Sequence, residues 1–197
     1  MTIQGNRLIL RQCLLPGAPS LVDIGIAEGQ IAAIATDLSG WDDPEVQVLA
    51  IGGKLVSPPF VESHIHLDSV LTAGQPRWNQ SGTLFEGIDI WRDRKASLTA
   101  ADVQARALAA LRLQAEQGVL FVRTHADVSE ANLVALRALL DLRQAVQDWI
   151  TVQVVAFPQD GIYSSAGNAE RLEEALRLGA DAVGGIPHYE FTREDGV

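Results

Sequence analysis

From Thr99 onward the sequence repeats one pattern that few folds can accept. Thr99-Ala100-Ala101-Asp102 caps a predicted helix with Val103, Ala107 and Leu111 along one face, and Gly118 stops it. Val119 to Thr124 reads as a strand, followed by a helix from Ser129 to near Trp149 with Leu133, Leu136 and Leu140 facing inward. Ile150 to Phe157 is a third strand, Ala169 to Leu178 a helix closed by Gly179, and Asp181 to Ile186 a fourth strand. Near-continuous apolar strands alternating with amphipathic helices predict parallel βα units. The strand that opens this series is Phe60-Val61-Glu62-Ser63-His64-Ile65-His66, placed after Ser57-Pro58-Pro59. Two consecutive prolines cannot continue a ladder, so they mark a crossing between domains.

Residues 1–56 have another rhythm. Short apolar runs (Leu8 to Leu10, Leu21 to Ile26, Gln30 to Ile34, Val46 to Ile51) are punctuated by glycine and proline, as in small antiparallel strands. Glu28-Gly29 between two of them suggests a hairpin turn. The expected organisation is a small β-sandwich domain over 1–56, then an α/β domain over 57–197. The latter is read as the first half of a TIM-type (β/α)8 barrel, truncated after its fourth strand. A closed barrel takes roughly 250 residues. Within the second domain, residues 67–98 form a long connection rich in Gly, Gln, Asn and Trp, of the kind that serves as a lid or binding loop, with Thr83 to Lys95 helical.

All four histidines fall after predicted strands: His64 and His66 after the first, His125 after the second, His188 after the fourth. The carboxyl ends of parallel barrel strands form the face that carries active sites. Residues i and i+2 of a strand share a face, so His64 and His66 project together and read as half of a metal site. Taken singly, His125 and His188 fit a hydrogen-bonded structural role more readily than a ligand role, and the roles of His125, Asp127 and His188 stay open. The acidic residues Glu130, Glu173 and Glu174 read as solvated surface. There are two lysines, Lys54 and Lys95, and neither follows the fourth strand. A binuclear site bridged there by a modified lysine is therefore excluded, and one ion is expected. The net charge of −10 argues against nucleic acid or an anionic membrane as partner. Cys13 is the single cysteine, so no internal disulfide can form, and a reducing compartment is the simpler reading. With no secretory leader pattern and no long apolar run, a cytoplasmic protein is expected.

These residues carry a resemblance. A small β-domain, then Pro-Phe-Val-Glu-Ser-His-Ile-His-Leu-Asp (59–68), then a βα series, resembles the amidohydrolase superfamily. Thr72 to Gly87, Val122-Arg123-Thr124-His125, Val155 to Gln159 and Glu174 to Asp181 are similar to the bacterial cytosine deaminase type. The resemblance covers the chain from about Lys54 onward. It implies a mononuclear site holding Fe(II) or Zn(II), with His64 and His66 as two metal ligands. Gln159 would hold the amide edge of a pyrimidine-like substrate, and Leu84 would touch the ring. Asp160 follows Gln159 where the resemblance leads one to expect Glu. The implied reaction is hydrolytic deamination of cytosine to uracil and ammonia by metal-activated water, with a carboxylate moving protons. No catalytic acid–base residue is assigned within this half; a Glu is expected beyond residue 197. The complete enzyme is expected to be a homo-oligomer, and the 197-residue chain alone to bind metal weakly and not to turn over. Other cyclic amides or amidines (isoguanine, a triazine, a creatinine-like ring) are alternative substrates, and a non-catalytic remnant is a third reading. The other nucleobase deaminase design needs a Pro-Cys-x-x-Cys pair, which one cysteine cannot supply.

Overall fold

A computed structural model describes residues 7–41 and 44–196. The chain divides into two compact units, Met1–Pro58 and Pro59–Val197.

In the first unit, β1 (Arg7–Cys13), β2 (Val22–Ala27), β3 (Gln30–Ala35) and β4 (Gln47–Ala50) form one sheet in the order β3-β2-β1-β4. The β2–β3 hairpin turns at Glu28 and Gly29, both at positive φ (52° and 74°), as a two-residue turn matched to strand twist requires. β4 pairs with β1 in parallel, where an antiparallel neighbour was expected. The connection from 36 to 46 carries the chain back to the end of the sheet from which β1 starts, so β4 runs with β1. Ile9, Cys13, Ile24 and Leu38 form the buried apolar set of this unit, which leaves Cys13 a packing role.

The second unit contains β5 (Phe60–Ile65), α1 (Leu84–Lys95), α2 (Ala100–Glu116), β6 (Val119–Asp127), α3 (Val134–Val146), β7 (Thr151–Phe157), α4 (Asn168–Arg177) and β8 (Ala182–Val183). Its sheet runs β5-β6-β7-β8, all parallel. This is the successive βα arrangement of the N-terminal part of a (β/α) barrel. One face of the sheet, carrying Val122, Ala126, Val152, Val154 and Ala156, packs against Val103, Ala107 and Leu111 of α2 and Leu136, Leu139 and Val146 of α3. Leu111, Leu136 and Leu139 are almost wholly buried, each stabilising the fold by roughly 2 kcal/mol on transfer from water. The opposite face carries Val61, Ser63, Phe121, Arg123 and Gln153, beside which no helix residue lines the open space among the described residues.

Three boundaries differ from the sequence reading. α3 begins at Val134 rather than Ser129. The Glu130 side chain accepts hydrogen bonds from the backbone N–H groups of Asn132 and Val134 (both 2.8 Å), and Leu133 sits at φ +53°, so the preceding residues form a capped turn. Glu130 is thus a cap rather than plain surface. β6 extends to Asp127, which places His125 inside the ladder. β8 is only two residues long, and the chain leaves the sheet through Gly184-Gly185. A Cβ on Gly184 would stand 2.8 Å from the Phe157 ring, so glycine there makes room for a side chain of the site.

Candidate active site

The site begins with an irregularity in β5. Its pairing with β6 matches Val61 to Phe121 and Glu62 to Val122, then shifts before Ile65 meets Thr124. A shift of this kind re-aims side chains. Ile65 packs against the apolar core, while His64 and His66 line the cavity at the strand ends, their ring centroids 5.4 Å apart. The displaced His64 N–H donates to Glu62 Oε1 at 3.0 Å. The turn after His66 is pinned to β6 by two buried bonds: Leu67 N–H to Thr124 Oγ1 (3.0 Å) and Asp127 N–H to Asp68 Oδ2 (2.8 Å).

His125 joins the pair from the neighbouring strand. Its ring stacks on His64 at 4.1 Å between centroids with 19° between planes, and lies 5.5 Å from His66. Phe157 meets both His66 and His125 edge-on, at 5.4 and 5.6 Å. Burial lowers the His66 pKa to about 4, assisted by His125 and His64 beside it. Burial, and then His64, likewise holds His125 below its usual value. His66 is therefore neutral at pH 7, the form that ligates metal. His125 Nδ1 is buried without a hydrogen-bond partner.

A cavity of about 460 Å³ opens at these strand ends. His64, His66, Ser69, Gln159 and His188 supply its polar lining, and Leu84, Ile88, Trp91, Phe157 and Ile186 much of its apolar wall. The fold therefore gathers around one space residues that lie far apart in the sequence. His188 comes to it on a single 3-10 turn, Pro187–Tyr189. The donor chemistry fits a borderline-soft divalent ion as far as two imidazoles go. Among the described residues no group of three or more His, Cys, Asp or Glu is arranged to hold a metal.

Sequence reasoning missed the ionic cluster beside this cavity. Lys95, read only by elimination, is buried and places Nζ 3.0 Å from Asp127 Oδ2 and 2.6 Å from Asp160 Oδ2. Trp91 Nε1–H donates to the same Asp127 oxygen at 3.0 Å. The available signal was a lysine on the face of a predicted helix that also carries Leu84 and Trp91. Its acidic partners are 32 and 65 residues away, which no local pattern reports.

A parallel βα sheet with imidazoles and a carboxamide gathered beyond its strand ends places the second unit in the class of (β/α)-barrel proteins. The chain belongs to the amidohydrolase family, whose sequence model matches residues 47–194. It is similar to the crystal structure of 5-methylcytosine deaminase from Klebsiella pneumoniae liganded with 5-fluorocytosine: 46% identity, TM-score 0.88, covering 95% of this chain and 45% of that one. The structure of the same enzyme liganded with phosphonocytosine matches at 45% identity and TM-score 0.87, over 95% of this chain and 46% of that one. The N-isopropylammelide isopropyl amidohydrolase of Pseudomonas sp. (strain ADP) is 31% identical over 195 residues, 96% of this chain and 47% of the relative. The chain thus spans less than half the length of these relatives. No helix among the described residues is long and apolar enough to cross a membrane.

Proposed function

We propose that this chain supplies the N-terminal half of a hydrolytic deaminase that converts cytosine, or a cytosine substituted at C5, and water to the corresponding uracil and ammonia. The observation that carries this reading is that His64, His66 and Gln159 line one cavity whose remaining wall is largely apolar. A flat ring fits such a wall, with Leu84, Trp91 and Phe157 excluding water from its faces. The Gln159 carboxamide both donates and accepts, which matches the adjacent donor and acceptor of a cytosine edge. His64 and His66 would hold a single Fe(II) or Zn(II). Such an ion, when bound, supplies Lewis-acid chemistry. His66, kept neutral by burial, needs no proton loss before ligating near neutral pH. The remaining ligands and the acid–base carboxylate belong to the complementary half, and the complete enzyme is proposed to be a cytoplasmic homo-oligomer.

A second reading, hydrolytic replacement of the alkylamino group on a triazine ring by the oxygen of water with release of the amine, draws on the 31% identity to the N-isopropylammelide protein. The test joins this chain to the C-terminal half of the Klebsiella enzyme and follows amine release with added Fe(II) or Zn(II). Ammonia from cytosine and 5-methylcytosine is expected, with loss in H64N and H66N and a raised KM in Q159A. Amine release from N-isopropylammelide with none from either cytosine would establish the triazine reading instead. Robust turnover by the 197-residue chain alone would overturn the half-site proposal.

A further inference from the structure

The cavity-facing residues of α1 are Leu84, Gly87, Ile88 and Trp91, a helical stripe, and Lys95 continues it one turn on. At Lys95 the stripe leaves the cavity and enters the carboxyl ends of the sheet. Lys95 Nζ there bridges Asp127, the last residue of β6, and Asp160, which follows Gln159 after β7. Its side chain is 10% exposed, and those of its partners are 3% and 19% exposed.

Each carboxylate is tied to a different part of the cavity. Asp127 Oδ2 also accepts from Trp91 Nε1, and Asp127 N–H donates to Asp68, two residues after His66. Asp160 N–H donates to Ser129 Oγ at 3.0 Å, while Ser129 N–H donates to Asp127 Oδ1 at 2.7 Å. The two carboxylates, Ser129 and Lys95 thus close a ring of polar bonds behind the cavity. Arg92 reaches Asp160 only at 3.5 Å and cannot replace Lys95 between the two acids. Buried ion clusters add little net stability compared with apolar packing, so what such a cluster supplies here is position.

We propose that Lys95 is a positioning residue of the ring-binding cavity: through Asp160 it fixes Gln159, and through Asp127 it fixes Trp91, setting the carboxamide against the aromatic wall. This rests on the reading of the cavity as the site of a cytosine-like ring. Lys95 touches no substrate in this scheme.

The probe is 5-fluorocytosine, titrated into the metal-free form of this chain joined to the C-terminal half of the Klebsiella enzyme, and followed by fluorine NMR at a temperature where every variant remains folded. K95M should weaken binding by about tenfold or more, the scale seen when groups that orient a site are removed. K95R, which keeps a cation between the two acids, should restore most of the affinity. V103A, which opens the fully buried α2 core away from the cavity, should lower the melting temperature and leave affinity unchanged. A K95M chain that binds like V103A, losing melting temperature but no affinity, would overturn the positioning role and leave the functional reading intact. A wild-type joined enzyme that binds no 5-fluorocytosine, or a Q159A variant of it that binds as well as wild type, would overturn the functional reading and this inference with it.

Discussion

Two titratable neighbours, His66 and Asp68, respond to burial in opposite directions. Burial lowers His66 to about 4 and raises Asp68 to about 7, where the nearby Asp127 carboxylate adds to the rise. In the unfolded chain these groups ionise near 6.5 and 3.8. The fold therefore holds a proton on Asp68 that the unfolded chain has lost between pH 3.8 and about 7. Stability from this source is full below 3.8 and is lost as pH rises through 7. His66 contributes the reverse: its share is present above 6.5 and is lost as pH falls toward 4. Over the shared window the two slopes oppose each other. D68N removes one of them while keeping an oxygen to accept from Asp127 N–H. The variant should gain stability relative to wild type as pH rises from 3.8 to about 7, by up to about 1.4 kcal/mol per pH unit. Urea unfolding of the metal-free proteins at several pH values checks this, and parallel curves for the two proteins would refute it. The His64–His66 pair was legible because strand spacing alone aligns i and i+2. That the pair faces the cavity depends on the register shift between Glu62 and Ile65, which no spacing encodes. His125 shows the same limit. Its stacking on His64 comes from the pairing of two strands separated by a long loop and two helices.

The helices were legible where capping chemistry and apolar period agreed. Thr83 and Thr99 each accept a hydrogen bond from the third following amide, and α1 and α2 start directly after them. α3 was misplaced because Ser129 looks like a cap, whereas Glu130 performs that work and Ser129 is engaged with Asp127 and Asp160. α1 and α2 also differ in how they are held. α2 buries Val103, Ala107, Ala110 and Leu111 in the main core; α1 buries only Ile88 and Lys95. T99A should therefore cost about 1 kcal/mol in global unfolding, the usual loss for a helix N-cap. T83A should leave global stability nearly unchanged, because α1 opens separately from the core. Hydrogen exchange tests the same claim. The α1 amides should exchange well before those of α2, β6 and β7, and equal protection of α1 and α2 would show that they unfold together.

Considered whole, the second unit is a sheet covered on one side. α2 and α3 seal one face, while the other leaves Val61 65% and Phe121 45% exposed beside Ser63, Arg123 and Gln153. Among the described residues β5 and β8 each pair on one side only, and Phe60 and Val61 on β5 are both exposed. An apolar strand edge beside an apolar face is a template for pairing with another chain. The half-barrel reading gives that surface a natural occupant, the complementary strands, and the alternation of strands and helices in the sequence made the parallel sheet itself legible. Without those strands the surface should find a substitute. The 197-residue chain should self-associate, with a weight-average mass that rises with concentration in sedimentation. Association through such a face has to bury on the order of 1,000 Å² to persist, so charge placed at its centre should disrupt it. V61K/F121K adds two lysines where parallel pairing sets Val61 beside Phe121. The double variant should sediment as a monomer with unchanged helical circular dichroism, because neither side chain belongs to the core sealed by the helices. A wild-type chain that remains monomeric at the highest attainable concentration, or a double variant that associates equally well, would show that this face does not drive assembly.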